Sequence, residues 1–495
     1  MSFFFPNFAG NNFECRSVSF NNISIMKSFS MSVIHRASRL LAVLVIVCST
    51  ATLSAQTPVR VYNTIHTDRS DCSGLNKLIQ ILPYCETNEY QTIANHHFGT
   101  NGEKKTTDEK HHYLWQKTTN FYNAPDIITF SDTFDFIPTH FVMNLDSITM
   151  FYPYDSTSEE WLWHTGAEGV YVCPDNAVID SLADMIWNQS SDIIDFARQC
   201  YEYVARHLTY QNPNTGLHSI EDILACGGGD CGNFASVYIS MLRNKGVPAR
   251  HVVGFSPYDG NNMHVWAEFF LQGYGWFPAD PTYKNSDPYG DYFGQYSYNY
   301  CIAGKDINHV YNLGGVQNQA EPLLQTYLWW YWYNGTCHYV DTYREVSCDA
   351  LYHIVGVADN DSSGSVTGSG YFVQGEEARL EAVPSTGYTF NHWSNGSTDN
   401  PLIVNVGASD ENLTAYFSEV EDVNIESVSD VSFGVRSEGN TIFVTNPQGS
   451  RIVICNVQGQ PLSVSGQTSQ DVTVPVAGVY LVSDGHGHCQ KVVVF

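Results

Sequence analysis

Apolar residues recur at helical spacing in two stretches of this chain and at alternate positions in many shorter ones. Ile193 to Tyr210 (IIDFARQCYEYVARHLTY) has the helical pattern. Phe234, Val237, Tyr238, Met241 and Leu242 fall at i, i+3, i+4, i+7 and i+8, the spacing of a helix with one buried face. Gly246 and Pro248 end it. An apolar strand, RHVVGF, follows. His264, Trp266, Glu268 and Phe270 then alternate with Val265, Ala267 and Phe269, which predicts a strand with two distinct faces. Gly273 and Gly275 turn the chain, and Trp276 to Asp280 return as the partner strand, ended by Pro281. A turn centred on Gln272 sets Asp280 opposite His264 on one face; a shift of one residue moves it to the other face.

The flanking regions read as β structure. Residues 56–165 carry short alternating runs such as THFVMNLDSITMFYP and form a β-rich N-terminal domain. Residues 316–349 are an aromatic-rich connector whose TYLWWYWY run reads as a buried strand or interdomain packing in preference to a sugar-stacking surface. Residues 350–418 alternate between short strands and Gly, Pro and Asn-Gly turns. Trp393 belongs to the core of that unit. Asp359 to Gly364 (DNDSSG) opens like a calcium loop, but Gly370 stands at the twelfth position where a glutamate is needed, so a plain turn is expected. Residues 419–432 are an acidic linker and 433–495 a small β-sandwich.

The helical stretch carries the chemistry. Counting back places Cys231 in its first turn, after GGGD, where the positive end of the helix favours thiolate. Gly227 to Gly229 leave room for a substrate backbone. With His264 and Asp280 the chain holds a thiol, an imidazole and a carboxylate in order, the inventory of an activated cysteine nucleophile.

Gly229 and Cys231, Arg243, Gly246 to Arg250, His264-x-Trp266-x-Glu268, and Gly275-Trp276 with Asp280-Pro281-Thr282 follow the pattern of the transglutaminase-like core. The stretch therefore resembles that branch of the papain-like cysteine enzymes, over 166–315. The resemblance implies an α+β multidomain protein with a papain-like core, an N-terminal β-rich domain and two small C-terminal all-β domains. It implies Cys231 as nucleophile, His264 as general base and acid, and Asp280 as the group that orients it. The Cys231 backbone and Gln211 are the oxyanion candidates, and Gly229, Asp230 and Trp266 the substrate-cleft candidates. Residues 350–418 resemble a β repeat of bacterial surface proteins through Gly387-Tyr388, Phe390, Trp393, Gly396-Ser397-Thr398 and Thr414 to Phe417. Residues 433–495 resemble the C-terminal sorting domain of the type IX secretion system of Bacteroidetes. That resemblance rests on Asn446-Pro447, Ile452 to Ile454, Gly459, Gly478-Val479-Tyr480 and Lys491 to Val494.

Composition narrows the partners. The formal net charge is −28, and residues 1–55 carry Arg16, Lys27, Arg36 and Arg39 against Glu14, so the remainder is more acidic still. Such a surface disfavours nucleic acid and anionic lipid. Residues 1–55 read as a signal peptide: basic residues precede Leu40 to Val47, and CSTATLSAQ supplies a small-residue cleavage site near Ala55. The apolar run is too short to be a transmembrane segment. Of the 13 cysteines, ten remain once Cys15, Cys48 and Cys231 are set aside. The local pairs Cys72–Cys85, Cys337–Cys348 and Cys455–Cys489 are candidate disulfides. No zinc spacing occurs, so neither a metal nor another cofactor is expected; His96-His97 and His111-His112 read as solvated pairs.

The expected activity is attack on an amide bond of a protein or peptide through a thioester, leaning to hydrolysis. Transamidation, or an inert core serving an adhesin, are the alternatives. The expected partners are the protein or peptide substrate and the outer-membrane secretion machinery, with the chain secreted or held at the cell surface.

Overall fold

The structure, a computed structural model, describes Glu14–Ser17 and residues 57–99, 101–107, 111–211, 216–259, 262–296, 300–313, 319–420, 433–484 and 488–495. Residues 1–55, expected to be a signal peptide, lie outside the described residues except for Glu14–Ser17, a strand antiparallel to Leu328–Tyr333. Most of the acidic linker, 421–432, lies outside them too. No helix among the described residues is long and apolar enough to cross a membrane. The chain divides into two compact units, one of residues 1–383 with 391–416, the other of 384–390 with 417–495.

In the first unit, a four-stranded antiparallel sheet runs in the order Gly275–Ala279, Met263–Leu271, Ala249–Phe255, Cys301–Lys305. The helix Cys231–Asn244 packs on it and is flanked on its other side by Ala177–Trp187 and Ile193–His207. The helix was expected to bury one face, yet every residue from Gly232 to Arg243 is buried. Gly232, Ala235, Ser236 and Ser240 are small enough to admit neighbours on the sides that a surface helix gives to water. Arg243 is buried at the helix end, where it donates to the carbonyls of Ala249 (2.7 Å) and Gly166 (2.8 Å) and lies 2.6 Å from the Glu168 carboxylate.

Two further large sheets belong to this unit. One orders Asp341–Ala358, Val59–Asp68, Ile127–Pro138 and Gln91–Phe98; the other orders Leu328–Tyr333, Leu75–Pro83, His112–Thr118 and Gly102–Thr106. Val59–Asp68 shows the expected alternation of burial. Its Val59 and Val61, with Phe134 and Phe136, belong to the same core as Val253, Phe255 and Phe269 of the central sheet. Each such side chain contributes about 1.5–3 kcal/mol of burial. The β-rich region is thus part of the core that holds the central sheet.

Three sequence expectations change here. The run Thr139–Pro153 is not a strand: Leu145–Ser147 is a single 3-10 turn, and Val142, Met143, Met150, Phe151 and Tyr152 are exposed. Its alternation has no sheet to pair with, and only Leu145 is buried, against Gly294. The segment 316–349 is not a connector. Leu328–Tyr333 is an interior strand, with Trp329, Trp330 and Tyr331 buried, so the buried-strand reading of the aromatics holds. The boundary at 350 cuts a continuous strand, because Asp341–Ala358 pairs first with Val59–Asp68 and then with Gly370–Val373.

The disulfide pattern is also different. Cys72 bonds Cys337 across 265 residues, while Cys85, Cys348, Cys455 and Cys489 are free. Backbone hydrogen bonds from His338 to Asp71 and from Asn334 to Gly74 bring the two distant segments side by side, a proximity that local spacing cannot show. His111 and His96 are not solvated as expected. His111 stacks on His309 with ring centroids 4.2 Å apart, and burial drives it down to about 3; His96 is half-buried, stacked on Tyr84 and bonded to the Cys85 carbonyl. His97 is exposed.

Trp393 is fully buried and its indole donates to the Asp399 carbonyl, as a core residue should. Asp359 and Asn360 accept hydrogen bonds from Ser362 and Ser363 within a plain turn. In the second unit, a three-stranded sheet (Gly434–Glu438, Thr441–Thr445, Ser469–Thr473) and a four-stranded sheet (Pro461–Ser465, Ile452–Asn456, Gly478–Ser483, Cys489–Val494) enclose a core of Ile442, Val444, Ile452, Ile454 and Val482.

Candidate active site

Cys231 is the first residue of its helix because Asp230 caps it. The Asp230 carboxylate accepts from the backbone N–H of Gly232 (3.1 Å) and Asn233 (3.3 Å), from the Asn233 side chain (2.8 Å) and from Gly216 (2.7 Å). Asp230 is thus a buried cap and not a wall of the cleft, and burial raises its carboxyl above the usual range. At the first helical position the Cys231 N–H has no intrahelical acceptor, which leaves it free to face an oxyanion.

The glycines before it serve packing, not the substrate. Gly228 and Gly229 pair in parallel with Thr209 and Tyr210. A Cβ on Gly228 would lie 1.9 Å from the Thr209 carbonyl, and one on Gly229 2.6 Å from the Asn233 side chain. Gly227 ends the preceding helix in the left-handed region at φ 68°. Gln211 is held in the same ladder: its backbone donates to Gly229 and its side-chain amide to the Cys226 carbonyl at 3.3 Å.

His264 comes from the second strand of the sheet. Ala267 pairs with Ala279 and Leu271 with Gly275, so the turn centres on Gly273 and not on Gln272. The strand ends at Ala279, and Asp280 lies beyond it as the cap of the helix Pro281–Ser286. The displacement from the expected register is two residues, an even number, so Asp280 still faces the histidine. His264 Nε2 lies 2.5 Å from Asp280 Oδ2, while Asp280 Oδ1 accepts from the backbone N–H of Thr282 and Tyr283. An ionised carboxylate only accepts, so Nε2 carries the proton and Nδ1 is left for the thiol.

Burial disfavours the charged imidazole, but the charge and hydrogen bond of Asp280, joined by hydrogen bonding and charge interaction with Cys231, outweigh it. His264 is held well above its ordinary value. The same balance shows the Cys231 thiol within interaction range of the ring. The three expected residues are therefore together.

Aromatic rings enclose the histidine. Tyr283 lies 4.6 Å and Tyr300 5.2 Å from it, and their hydroxyls share a hydrogen bond of 2.8 Å. Trp266, a cleft candidate, is buried behind the ring, 5.9 Å away and packed on Tyr296. It supports the histidine and does not face open solvent. The Gln325 side chain donates to the backbone carbonyls of His264 (2.8 Å) and Gly254 (3.1 Å) and fixes the strand from outside.

Tyr210 was missed by sequence reasoning. It is 44% exposed, and burial together with the nearby Cys231, Asp230 and Tyr300 raises its hydroxyl to about 12. A protonated hydroxyl thus lies close enough to the thiol to feel its charge. Nothing in the sequence marks Tyr210. Tyr283 did have a signal, since an aspartate followed by proline starts a short helix and places that tyrosine in its first turn. A second buried histidine, His251, is not a competing base: it faces Ser236 Oγ at 3.0 Å, and burial lowers it to about 3.

Among the described residues His164, Glu168 and Asp306 set one ligand atom each within 4.8 Å of one another. Arg243 already lies on Glu168, His164 lies 3.2 Å from Asp306, and the charge of Arg250 acts on Asp306 as well. Two guanidinium groups supply the positive charge that a metal would bring, so the cluster is an ion network. The motif residues Arg250 and Glu268 form another, 2.9 Å apart, with Lys305 on the far carboxylate oxygen and Arg250 over Trp276.

Residues 180–281 match the transglutaminase-like superfamily, and residues 357–421 match the divergent InlB B-repeat domain. A protein-glutamine gamma-glutamyltransferase of Pseudomonas aeruginosa is 31% identical over 88 residues, 15% of this chain and 13% of that protein. The uncharacterized protein YebA of Bacillus subtilis is 24% identical over 132 residues, 22% of this chain and 18% of that protein. The chain spans less than a fifth of either relative. A solved structure from Cytophaga hutchinsonii, named a candidate cysteine protease, aligns over 60% of this chain and 91% of its own at 13% identity, with a TM-score of 0.42. A superposition that loose carries no functional weight. Residues 180–281 form a transglutaminase-like domain, and residues 357–421 are a divergent B-repeat.

Proposed function

We propose that this chain is a cysteine enzyme that opens amide bonds of proteins or peptides through a thioester on Cys231. The observation that carries the reading is the hydrogen bond of His264 to Asp280 beside a thiol at the first position of a buried helix. His264 Nδ1 takes the thiol proton, and the sulfur attacks the amide carbon. The Cys231 N–H and the Tyr210 hydroxyl face the oxygen as it gains charge. The imidazolium, stabilised by Asp280, then protonates the leaving amine. Water completes hydrolysis through the same histidine.

Hydrolysis is the favoured outcome. Transfer to an amine is the second reading, and the name of the P. aeruginosa relative favours it. Incubation with a protein substrate, with and without a primary amine, separates them by mass spectrometry. Cleavage without amine incorporation supports hydrolysis; ammonia release with amine incorporation establishes transfer. Neither product from a folded chain with a reactive Cys231 would refute the enzymatic reading and leave an adhesin.

The same proposal extends to location. An export signal within 1–55 and a sorting function for 433–495 make this a secreted or surface enzyme handed over by outer-membrane machinery. Deleting 433–495 should then strand the folded enzyme in the periplasm; unimpaired secretion of the truncated chain would overturn the sorting reading.

A further inference from the structure

The run 139–153 is no strand, yet one of its residues is tied to the site. Val142 forms a single antiparallel bridge with Gln295. The Met143 N–H donates to the Gly294 carbonyl (3.0 Å), and the Tyr296 N–H donates to the Phe141 carbonyl (3.1 Å). The pairing continues inward. The Gly294 N–H donates to the Pro278 carbonyl (2.8 Å) and the Asp280 N–H to the Tyr292 carbonyl (3.0 Å), at the end of the strand that leads into Asp280. Gly294 bonds to both sides because it stands in the left-handed region at φ 72°, and a Cβ there would lie 2.9 Å from Leu145. Residues 141–143 are thereby the outermost segment of a ladder that starts at Asp280.

The outer edge of this ladder is open. The bonds to Gly294 and Tyr296 flank Val142 without using it, the pattern of a pair that is opposite but not hydrogen-bonded, so the N–H and C=O of Val142 point away from Gln295. Neither group has a partner among the described residues. The Val142 side chain is 52% exposed and Met143 beside it 38%. Residues directly opposite in a ladder put their side chains on one face. Val142 therefore shares a face with Gln295, which lines a small cavity together with His264 and Asp280. A donor, an acceptor and an apolar side chain, all unused by the fold, thus stand on one residue at the flank of the site. An edge left unprotected in this way is a template for another chain.

We propose that Val142 is a docking edge for the substrate, and that the substrate is an extended, unfolded stretch of protein. The proposal rests on the reading of this chain as an amide-bond enzyme. One substrate residue gives its N–H to the Val142 carbonyl and takes the Val142 N–H on its own carbonyl, with its side chain against that of Val142. The added segment lies at most three strand spacings, about 14 Å, from the strand that leads into Asp280. An extended chain covers that distance in about four or five residues. The docked residue is therefore at least that far along the substrate from the amide opened at Cys231. A dipeptide cannot span the two points, and a helix in a folded protein has already spent its N–H and C=O groups. Recognition runs through the backbone, so many sequences are accepted.

The test uses the full chain with Cys231→Ala, so that nothing is consumed, and immobilised α-lactalbumin that has been reduced and carboxymethylated. This probe is unfolded and acidic, so charge attraction to an acidic chain does not hold it. The unfolded probe should bind and native α-lactalbumin should not. Val142→Pro removes the edge N–H, which the fold does not use, and should weaken binding about tenfold. A second measurement leaves the protein intact: a 12-residue segment of the probe is N-methylated at one residue at a time. One position should lose affinity about tenfold while its two neighbours lose little. Equal binding by the Val142→Pro chain, or equal affinity of every N-methylated peptide, would overturn the edge, whatever the Cys231 chain turns over. Self-association that Val142→Pro abolishes, with no probe bound, would give the edge to a second copy and overturn it as well. Binding that depends on Val142, with no cleavage or amine transfer by the Cys231 chain, would refute the amide-bond reading and leave only a peptide-binding edge.

Discussion

The three site residues act through unequal contacts, and their substitutions should separate accordingly. In the proposed mechanism Cys231→Ala removes the nucleophile and His264→Ala the base, so each should lower kcat by at least about a thousandfold. Circular dichroism should show the fold retained. Asp280→Asn keeps an oxygen for the Thr282 and Tyr283 N–H groups but presents an amide donor to His264 Nε2. It reverses one hydrogen bond without deleting a reacting group, and should cost less than either alanine. Equal losses at all three positions would contradict this division of roles. Tyr210→Phe removes one hydroxyl that feels the charge of the thiol. If that hydroxyl serves the oxyanion, kcat should fall about a hundredfold with KM little changed. The types and order of Cys231, His264 and Asp280 were legible in the sequence because each ends or begins an element with its own pattern. Tyr210 was not, because its role comes from a two-residue parallel pairing with Gly228 and Gly229 that no periodicity announces.

At the scale of elements, helix starts and strand faces were readable, and the pairing between them was less so. The hairpin register differed by two residues because glycines at 273 and 275 allow more than one turn, and Gly273 adopts the left-handed conformation (φ 84°). Only an odd shift would have moved Asp280 away from the histidine. The nucleophile helix carries a pH dependence that its sequence does not suggest. His251, on the adjacent strand, is buried against Ser236 of that helix; burial, then the charge of Arg243, lower it to about 3. Its folded value lies below the unfolded one near 6.5, so between these limits the unfolded chain binds the extra proton. Stability is therefore lost as the pH falls below about 6.5, at up to about 1.4 kcal/mol per pH unit for this residue. His251→Gln should remove that contribution. Urea unfolding at pH 6 and at pH 4 should show the acid loss reduced by about 2–3 kcal/mol relative to the native chain. An unchanged difference would mean that His251 does not stay neutral in the fold.

At the scale of the molecule, long-range partnerships decide what the central sheet needs, and these were the least legible. Cys72 with Cys337, and Val59–Asp68 with Asp341–Ala358, join segments more than two hundred residues apart. A reading that moves along the chain sees a β-rich domain, a catalytic domain and a connector in succession. The fold joins all three: the β-rich and catalytic regions share one core, and the connector's aromatics pack with the β-rich region in two others. Val59, Val61, Phe134 and Phe136 cover the central sheet, and Gln325 holds the carbonyl of His264. Two truncations should therefore behave in opposite ways. The fragment 166–315 retains Cys231, His264 and Asp280 but loses six core side chains (Val59, Val61, Cys85, Phe134, Phe136 and Leu145) and the Gln325 clasp. Each lost apolar side chain removes about 1.5–3 kcal/mol of burial, a sum comparable to the whole stability of a domain. That fragment should not fold cooperatively or turn over substrate. Deleting 433–495 removes a sandwich with its own core of Ile442, Val444, Ile452, Ile454 and Val482. A unit that encloses its own apolar residues folds independently. Calorimetry of this shorter chain should show the catalytic transition at an unchanged Tm, with kcat/KM on a peptide substrate within about twofold of the full chain. An active, cooperatively melting 166–315 would refute the shared core. A catalytic transition lowered by loss of 433–495 would refute the independence of the sandwich.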